Sequence, residues 1–113
     1  MTALPPRLTR RSEFLRAAAR GRKAARPGLV LQALAQPGAP LRVGFTATKK
    51  LGGAVVRNRC KRRLRAAMQS AVGEHPIVGF DLVLIARDAT ATRPWDQLLG
   101  DLRGALRQAG VTP

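Results

Sequence analysis

A chain of 113 residues fits one domain, and its apolar fraction of 45% excludes a protein that is disordered throughout. Its formal net charge of +15 favours a polyanionic partner, while the absence of a long apolar run excludes a transmembrane protein. The single cysteine, Cys60, excludes an internal disulfide and indicates a reducing compartment. We therefore expect one domain over residues 1–113, with a flexible N-terminus at 1–8 and a cytoplasmic location.

The first half of the chain predicts one helix and two strands. Residues 12–20 predict a helix that ends at the following glycine, with its apolar residues on one side: Phe14, Leu15 and Ala18. The next segment, GRKAARPG, is basic and contains proline, and we interpret it as a loop. Residues 29–35 predict a first strand, and residues 41–48, where apolar and polar residues alternate, predict a second. Because QPGAP between them supplies turn residues, we expect these strands to form an antiparallel pair.

The second half predicts a helix, a strand and a final helix. A basic helix is expected over residues 53–72, and FDLVLIA at residues 80–86 predicts a buried strand. The last helix begins near Thr92, with Pro94 in its first turn, and ends at Gly110. Its expected core stripe consists of Trp95, Leu98, Leu99, Leu102 and Leu106. The order α-β-β-α-β-α predicts an α+β fold, a small two-layer α-β sandwich.

The basic helix has a clear division between apolar and cationic positions. Its apolar residues recur at steps of three and four, as in a helix that buries one stripe: Val56, Cys60, Leu64, Ala67, Met68 and Ala71. The cations have few acidic partners at helical spacing, and arginine, which suits bidentate phosphate contacts, dominates. A merely solvated face and a membrane-surface helix are the alternatives, but the apolar side lacks the bulky residues of a membrane-surface helix. Nucleic acid is the favoured partner, and Cys60 is predicted to be a core residue.

Groups that could perform catalysis are scarce. The one histidine, His75, falls in a Gly-Pro loop and is predicted to be solvated, and no Cys/His cluster suggests zinc. The carboxylates show no close pairing for a two-metal site: Glu13, Glu74, Asp81, Asp88, Asp96 and Asp101. Gly52 and Gly53 lack the spacing of a phosphate-binding loop and are predicted to turn the chain from strand to helix. We therefore predict no catalytic residue and no metal ligand in this polypeptide.

The region around the basic helix resembles the signature of the bacterial ribonuclease P protein subunit, K-K-x-G-x-A-V-x-R-N-R-x-K-R-x-x-R. The fixed positions of that pattern are Lys49, Lys50, Gly52, Ala54, Val55, Arg57, Asn58, Arg59, Lys61, Arg62 and Arg65. Three further segments agree with the family along nearly the whole chain: an N-terminal "EF" helix with Phe14, L-R-V-G-F at 41–45 and D-L-V-L-I-A-R at 81–87.

The resemblance implies a fold and a division of labour. The parallel strands flanking the basic helix would be joined by a left-handed crossover, against the usual right-handed rule. The ribonuclease P RNA would be the catalyst that removes the 5′ leader of precursor tRNA, with Mg²⁺ held mainly by RNA and no cofactor bound by the protein alone. The protein would bind both that RNA and the leader, with no membrane and no obligate protein partner implied.

The resemblance also assigns residues to two surfaces. The catalytic RNA would lie against Lys49, Lys50, Arg57, Asn58, Arg59, Lys61, Arg62 and Arg65. The leader would run between the first helix and the outer face of the sheet, along Phe14, Ala18, Val30 and Gln32, with Arg22, Lys23 and Arg26 near the edge of the groove. Ala18 and Gln32 stand where family members commonly carry aromatic residues, so stacking of leader bases on this chain would depend more on Phe14.

Three other functions compete with this interpretation. A purely structural, ribosome-type RNA-binding protein would have similar charge but no effect on cleavage of precursor tRNA. A DNA-binding regulator would place a few base-reading side chains in a groove, whereas the cations here cover a broad arc. A stand-alone nuclease lacks a candidate site.

Overall fold

One mixed sheet of four strands organises the computed structural model, which describes residues 5–113. The main elements, in chain order, are α1 (Arg11–Arg20), β1 (Arg22–Arg26), β2 (Leu29–Ala35), β3 (Arg42–Thr46), α2 (Ala54–Glu74), β4 (Phe80–Ala86) and α3 (Trp95–Gln108). Short 3₁₀ helices at Lys49–Leu51 and Asp88–Ala91 precede α2 and α3. The strand order is β1-β2-β4-β3, with β3 and β4 parallel and the other neighbours antiparallel.

The position of β4 corrects the expected pairing of the second and third strands. The antiparallel pair predicted for residues 29–35 and 41–48 was wrong, because β4 lies between β2 and β3. Successive residues of β4, including Leu82, Val83 and Leu84, are almost completely buried, so both faces of this strand are covered. A strand buried on both faces belongs in the interior of a sheet. Helix α2 therefore connects two parallel neighbours, and the left hand of that crossover stays a prediction.

The strand β1 was missed. Residues 22–26, interpreted as part of a loop, pair with β2 in a hairpin that turns at Pro27 and Gly28. Within β1 only Ala24 is buried, because this strand lies at the edge of the sheet and leaves Arg22 and Lys23 exposed to solvent. A half-exposed edge strand needs little apolar alternation, which is why the sequence pattern did not reveal it.

The main core lies between one face of the sheet and the two long helices. Leu29, Leu31 and Leu84 of the sheet pack there, with apolar side chains of α2 and α3. Cys60 is 1% exposed, which confirms its prediction as a core residue, and burial raises the pKa of its thiol. Trp95 does not join the predicted stripe of α3, since it lies in the first turn and is 42% exposed.

The other face of the sheet is partly covered by α1 and the segment before it. Ala17 of α1 packs against Val83 and Leu8, and all three are buried. Leu15, predicted on the apolar side of this helix, is instead 55% exposed. The backbone N–H of Leu8 donates to the Val43 carbonyl (3.1 Å), so this residue is not part of the flexible terminus expected at 1–8. Residues 1–4 lie outside the described residues.

Candidate nucleic-acid interface

The turn into α2 gathers cations at the start of the helix. Gly52 has φ of 135°, a conformation that side-chain-bearing residues rarely adopt, and Gly53 is the N-cap of α2. The structure thus places both glycines in the strand-to-helix turn, as predicted. Lys49 and Lys50 precede this turn and are exposed. The positive end of the helix dipole and two ammonium groups therefore lie close together, an arrangement that favours an anion.

The outward side of α2 is an open, cationic surface, here called the open face. Its residues surround a shallow depression of about 490 Å³ and are Val55, Asn58, Lys61, Arg62 and Arg65. Four of these were predicted as RNA contacts, and the helix brings them together because positions three and four apart share a side. The addition is Val55, which is 83% exposed. The position of Val55 on this face could have been predicted from the sequence, because Val55 precedes Asn58 and Arg62 at helical spacing and lies off the buried stripe.

The opposite flank of α2 uses its arginines differently. The Nε of Arg59 donates to the carbonyl of Ala91 (2.8 Å), and Arg63 donates to the carbonyls of Thr90 (2.5 Å) and Arg93. Both side chains therefore hold the 3₁₀ segment before α3 against the helix. Arg59, predicted as an RNA contact, remains exposed but already has a protein partner. A charge pattern alone cannot separate these arginines from those of the open face, because their partners are carbonyls about thirty residues further along the chain.

A cleft of about 120 Å³ runs beside the edge strand β3, between the N-terminal segment, α1 and α2. It is lined by Arg7, Leu8, Phe14, Val43, Gly44, Phe45, Lys61 and Arg65. The cleft, called the β3 cleft below, brings a predicted leader residue, Phe14, next to two predicted contacts of the catalytic RNA. Arg7 and Phe45 were not predicted to line a binding site. Arg7 reaches the cleft only because the N-terminal segment pairs with β3, and Phe45 was expected only in the core.

Arg65 has an unusual position in this cleft. Its guanidinium carbon lies 5.7 Å from the centroid of the Phe45 ring, within the range of a cation–π contact. Its Nε is buried and has no hydrogen-bond partner among residues 5–113. Burial, together with the nearby charge of Arg7, lowers the pKa of Arg65. A positive charge that is poorly solvated and repelled by a second cation would be stabilised by an anion in the cleft.

A partly buried ion network fixes α1 to the sheet. All three guanidinium nitrogens of Arg42 are used: Nε and Nη2 donate to the carboxylate of Asp81 (3.0 and 2.8 Å), and Nη1 pairs with Glu13. The other oxygen of Glu13 accepts the backbone N–H groups of Thr9 (3.1 Å) and Arg10 (2.9 Å) at the start of α1. These two backbone hydrogen bonds are the main cause of the lowered pKa of Glu13, and Arg42 lowers it further. Asp81 is only 1% exposed, so its carboxylate serves this network.

The residues predicted to bind the leader lie on both faces of the sheet. Val30, Gln32 and Lys23 lie on the face that carries α1, because Lys23 pairs directly with Gln32 and side chains alternate along a strand. Phe14 and Ala18 of α1 are half-buried on that same side. Arg22 and Arg26 do not reach this groove. They project to the face that carries α3, where Arg26 donates to the carbonyl of Gly104 (3.2 Å).

Other candidate chemical groups do not form clusters in the described part of the chain. Over residues 5–113, no group of three or more His, Cys, Asp or Glu side chains is placed to hold a metal ion. His75 is exposed at the C-cap of α2, in agreement with the prediction of a solvated residue. In the same range, no helix is both long and apolar enough to cross a membrane.

Comparison with known proteins identifies the family of this chain. The family model described as Ribonuclease P matches residues 5–110. The chain belongs to the ribonuclease P protein family. A ribonuclease P protein component from Gluconacetobacter diazotrophicus is 58% identical over 106 residues, covering 93% of this chain and 91% of that protein. One from Paramagnetospirillum magneticum is 47% identical over 116 residues, covering 98% and 87%.

Solved structures of the family have the same architecture. The ribonuclease P protein of Staphylococcus aureus superposes with a TM-score of 0.79 at 28% identity, covering 95% of this chain and 97% of that one. The protein from Thermotoga maritima gives a TM-score of 0.74 at 25% identity, covering 87% and 92%. The predicted α+β class is confirmed, with the additional strand β1. Family membership makes this chain the protein component of a tRNA-processing endoribonuclease and implies partnership with its RNA subunit.

Proposed function

We propose that this protein docks on the catalytic RNA of ribonuclease P through the open face of α2 and holds the 5′ leader of precursor tRNA in the β3 cleft. The RNA subunit performs the hydrolysis with Mg²⁺ bound mainly to RNA, and the polypeptide supplies no catalytic residue. Lys49 and Lys50 extend the docking surface from the start of the helix. The assembly acts in the cytoplasm.

The unsatisfied charge of the β3 cleft carries this proposal. Arg65 and Arg7 destabilise each other there, and Lys61 adds a third cation to the same lining. Phosphates of a nucleic acid backbone supply repeated negative charge at such a surface, and an arginine side chain can donate two parallel hydrogen bonds to one phosphate. The open face continues from this cleft along α2, since Lys61 and Arg65 line both surfaces. One RNA strand could therefore pass from the cleft onto the helix.

Aromatic rings make the cleft suited to an unpaired strand. Phe14 and Phe45 both line it, and stacking of one base on an aromatic side chain contributes roughly 1–3 kcal/mol. Ala18 offers no ring for a second stack, and Gln32 is only 8% exposed beneath α1. Leader binding on this chain therefore rests on the β3 cleft and less on the groove further along α1.

Docking on RNA can be tested by titrating the protein against a bacterial ribonuclease P RNA over a range of salt concentrations. If about six phosphates are contacted, the logarithm of the association constant should fall against log salt with a slope of roughly −4 to −5. The variant Arg62→Ala should make the slope less steep by the contribution of about one phosphate contact. Arg107→Ala removes the same charge from the exposed side of α3 and should leave the slope unchanged. Equal effects of both variants would show that only total charge matters.

Two competing functions are separated by the choice of ligand. If the protein were a DNA-binding regulator, duplex DNA at a similar concentration would displace the ribonuclease P RNA from it. The proposed function predicts that the RNA stays bound. A ribosome-type structural protein would bind structured RNAs but would not distinguish precursor tRNA from mature tRNA when assembled with the ribonuclease P RNA. A preference for the leader-bearing substrate that depends on the protein would support the proposed function.

A further inference from the structure

Two residues on the α1-facing side of β3 contact two consecutive residues of α1. Arg42 and Gly44 are two positions apart, so they lie on the same face of the strand. Arg42 pairs with Glu13, and Gly44 lies under the ring of Phe14. The R-x-G of the L-R-V-G-F segment and the E-F of the first helix therefore meet in space, although about thirty residues separate them in the sequence.

Gly44 is needed for space rather than for backbone conformation. It is not among the glycines with positive φ in residues 5–113, so its backbone would accept other residues. A Cβ at this position, however, would lie 2.5 and 2.6 Å from the Cε1 and Cζ atoms of Phe14 and 3.3 Å from the Cβ of Leu8. Such distances are well inside van der Waals contact, so the ring would have to move. The absence of a side chain allows Phe14 to pack directly on the strand.

Arg42 holds the same turn of α1 by charge. It lies between the carboxylates of Glu13 and Asp81, of which the second is 1% exposed. Asp81 belongs to β4, so Glu13 is connected through Arg42 to an inner strand of the sheet. The preceding turn is closed by Glu13 itself, which accepts the N–H groups of Thr9 and Arg10. Helix α1 is thus fixed at Glu13 by ions and at Phe14 by close packing.

We propose that Arg42 and Gly44 are positioning residues for substrate recognition: they set the place of the Phe14 ring in the β3 cleft and so the affinity for the leader. This inference rests on the proposed function, because it assumes that the leader occupies that cleft. Neither residue need touch the leader. Gly44 forms part of the lining, and Arg42 acts through Glu13 on the helix that carries the ring.

The test is the affinity of the assembled holoenzyme for a precursor tRNA whose cleavage is chemically blocked, relative to the same tRNA without a leader. Gly44→Ala should lower the preference for the leader-bearing RNA by about tenfold, the equivalent of one lost base stack. Gly100→Ala is the matched control, since a Cβ at this exposed position of α3 meets nothing within 4 Å. It should leave the preference unchanged.

A second substitution separates positioning from general damage to the fold. In a Phe14→Ala background, Gly44→Ala should cause no further loss of preference, because no ring remains to be displaced. Glu13→Gln retains an oxygen for the Thr9 and Arg10 N–H groups but removes the charge that binds Arg42, and it should reduce the preference by about threefold. Both measurements require the variants to bind the ribonuclease P RNA with wild-type affinity, which is measured in parallel.

The outcomes distinguish the inference from the function on which it rests. If the wild-type holoenzyme shows no preference for the leader-bearing RNA, leader binding by this protein is wrong, and the inference falls with it. If the wild type shows the preference and Gly44→Ala keeps it, only the positioning role is overturned. Additive losses in the Gly44→Ala, Phe14→Ala double variant would likewise overturn it, because they would mean that Gly44 acts independently of the ring.

Discussion

Adjacent arginines of α2 should respond to substitution in opposite ways. Arg62 belongs to the open face and is exposed, whereas Arg63 donates to the carbonyls of Thr90 and Arg93. We predict that Arg63→Ala destabilises the fold with little direct effect on RNA binding. Arg62→Ala should weaken RNA binding with little effect on the fold. Both substitutions remove one positive charge from neighbouring positions of the same helix, so each is the control for the other.

The expected magnitudes follow from the contacts. Hydrogen bonds from a charged group contribute roughly 1.5–3 kcal/mol each when buried, and Arg63 makes two of them at a half-buried site. We therefore expect Arg63→Ala to lower the free energy of unfolding by about 2–3 kcal/mol, or the melting temperature by roughly 10 °C. Arg62→Ala should change stability by less than about 0.5 kcal/mol. It should reduce the salt slope of RNA binding by roughly 0.7–0.9, the contribution of one phosphate contact.

Two measurements would test this prediction. Thermal unfolding, monitored by circular dichroism, gives the stability of each variant, and RNA titration at a temperature where both variants are folded gives their RNA affinity. The reasoning would be refuted if Arg62→Ala proved as destabilising as Arg63→Ala. It would also fail if folded Arg63→Ala lost more RNA affinity than Arg62→Ala, because the contacts with the two carbonyls would then not be the main role of Arg63.

Three further predictions concern stability and reactivity. Because folding lowers the pKa of Glu13, its stabilising effect is present above the ordinary pKa of 4.5 and is lost as the pH falls through the lower folded-state pKa. The difference in urea stability between wild type and Glu13→Gln should therefore shrink as the pH falls below about 4.5. An unchanged difference would contradict the assigned hydrogen bonds. Cys60 should react with iodoacetamide far more slowly in the native protein than in urea, since burial raises the pKa of its thiol, and equal rates would place it at the surface. Leu64→Ala should cost roughly 2–5 kcal/mol in denaturant unfolding, because this side chain is fully buried between α2 and the sheet, and a loss below 1 kcal/mol would contradict that packing.

The sequence predicted those elements whose hydrophobic pattern is strong and local. Helix α2 and strand β4 were found almost to the residue, since one carries a regular buried stripe and the other an uninterrupted apolar run. Strand β1 was missed because an edge strand that buries only Ala24 leaves almost no pattern. The pairing of β2 with β3 was wrong for a different reason: the turn residues between them indicate a reversal of the chain but not which strand enters the sheet beside them.

The candidate site shows the same limit. The motif identified the cations of α2 but not which of them bond to the protein itself. The groups they bond to lie far away in the sequence, as Ala91 does for Arg59. The resemblance placed Val30 and Gln32 on the outer face of the sheet, and the strand register agrees. It could not assign Arg22 and Arg26 to the opposite face without the strand β1. The contact of Gly44 with Phe14 likewise depends on the tertiary position of α1, which no local pattern encodes.

The most direct measurement is cleavage of a leader-bearing precursor tRNA at low magnesium by this protein alone, by bacterial ribonuclease P RNA alone, and by the two together. The proposed function predicts efficient cleavage in the mixture, little by the RNA alone and none by the protein alone. Cleavage by the protein alone would reveal a catalytic site in the polypeptide. A mixture no more active than the RNA alone would contradict the role of this chain in binding the catalytic RNA and the leader.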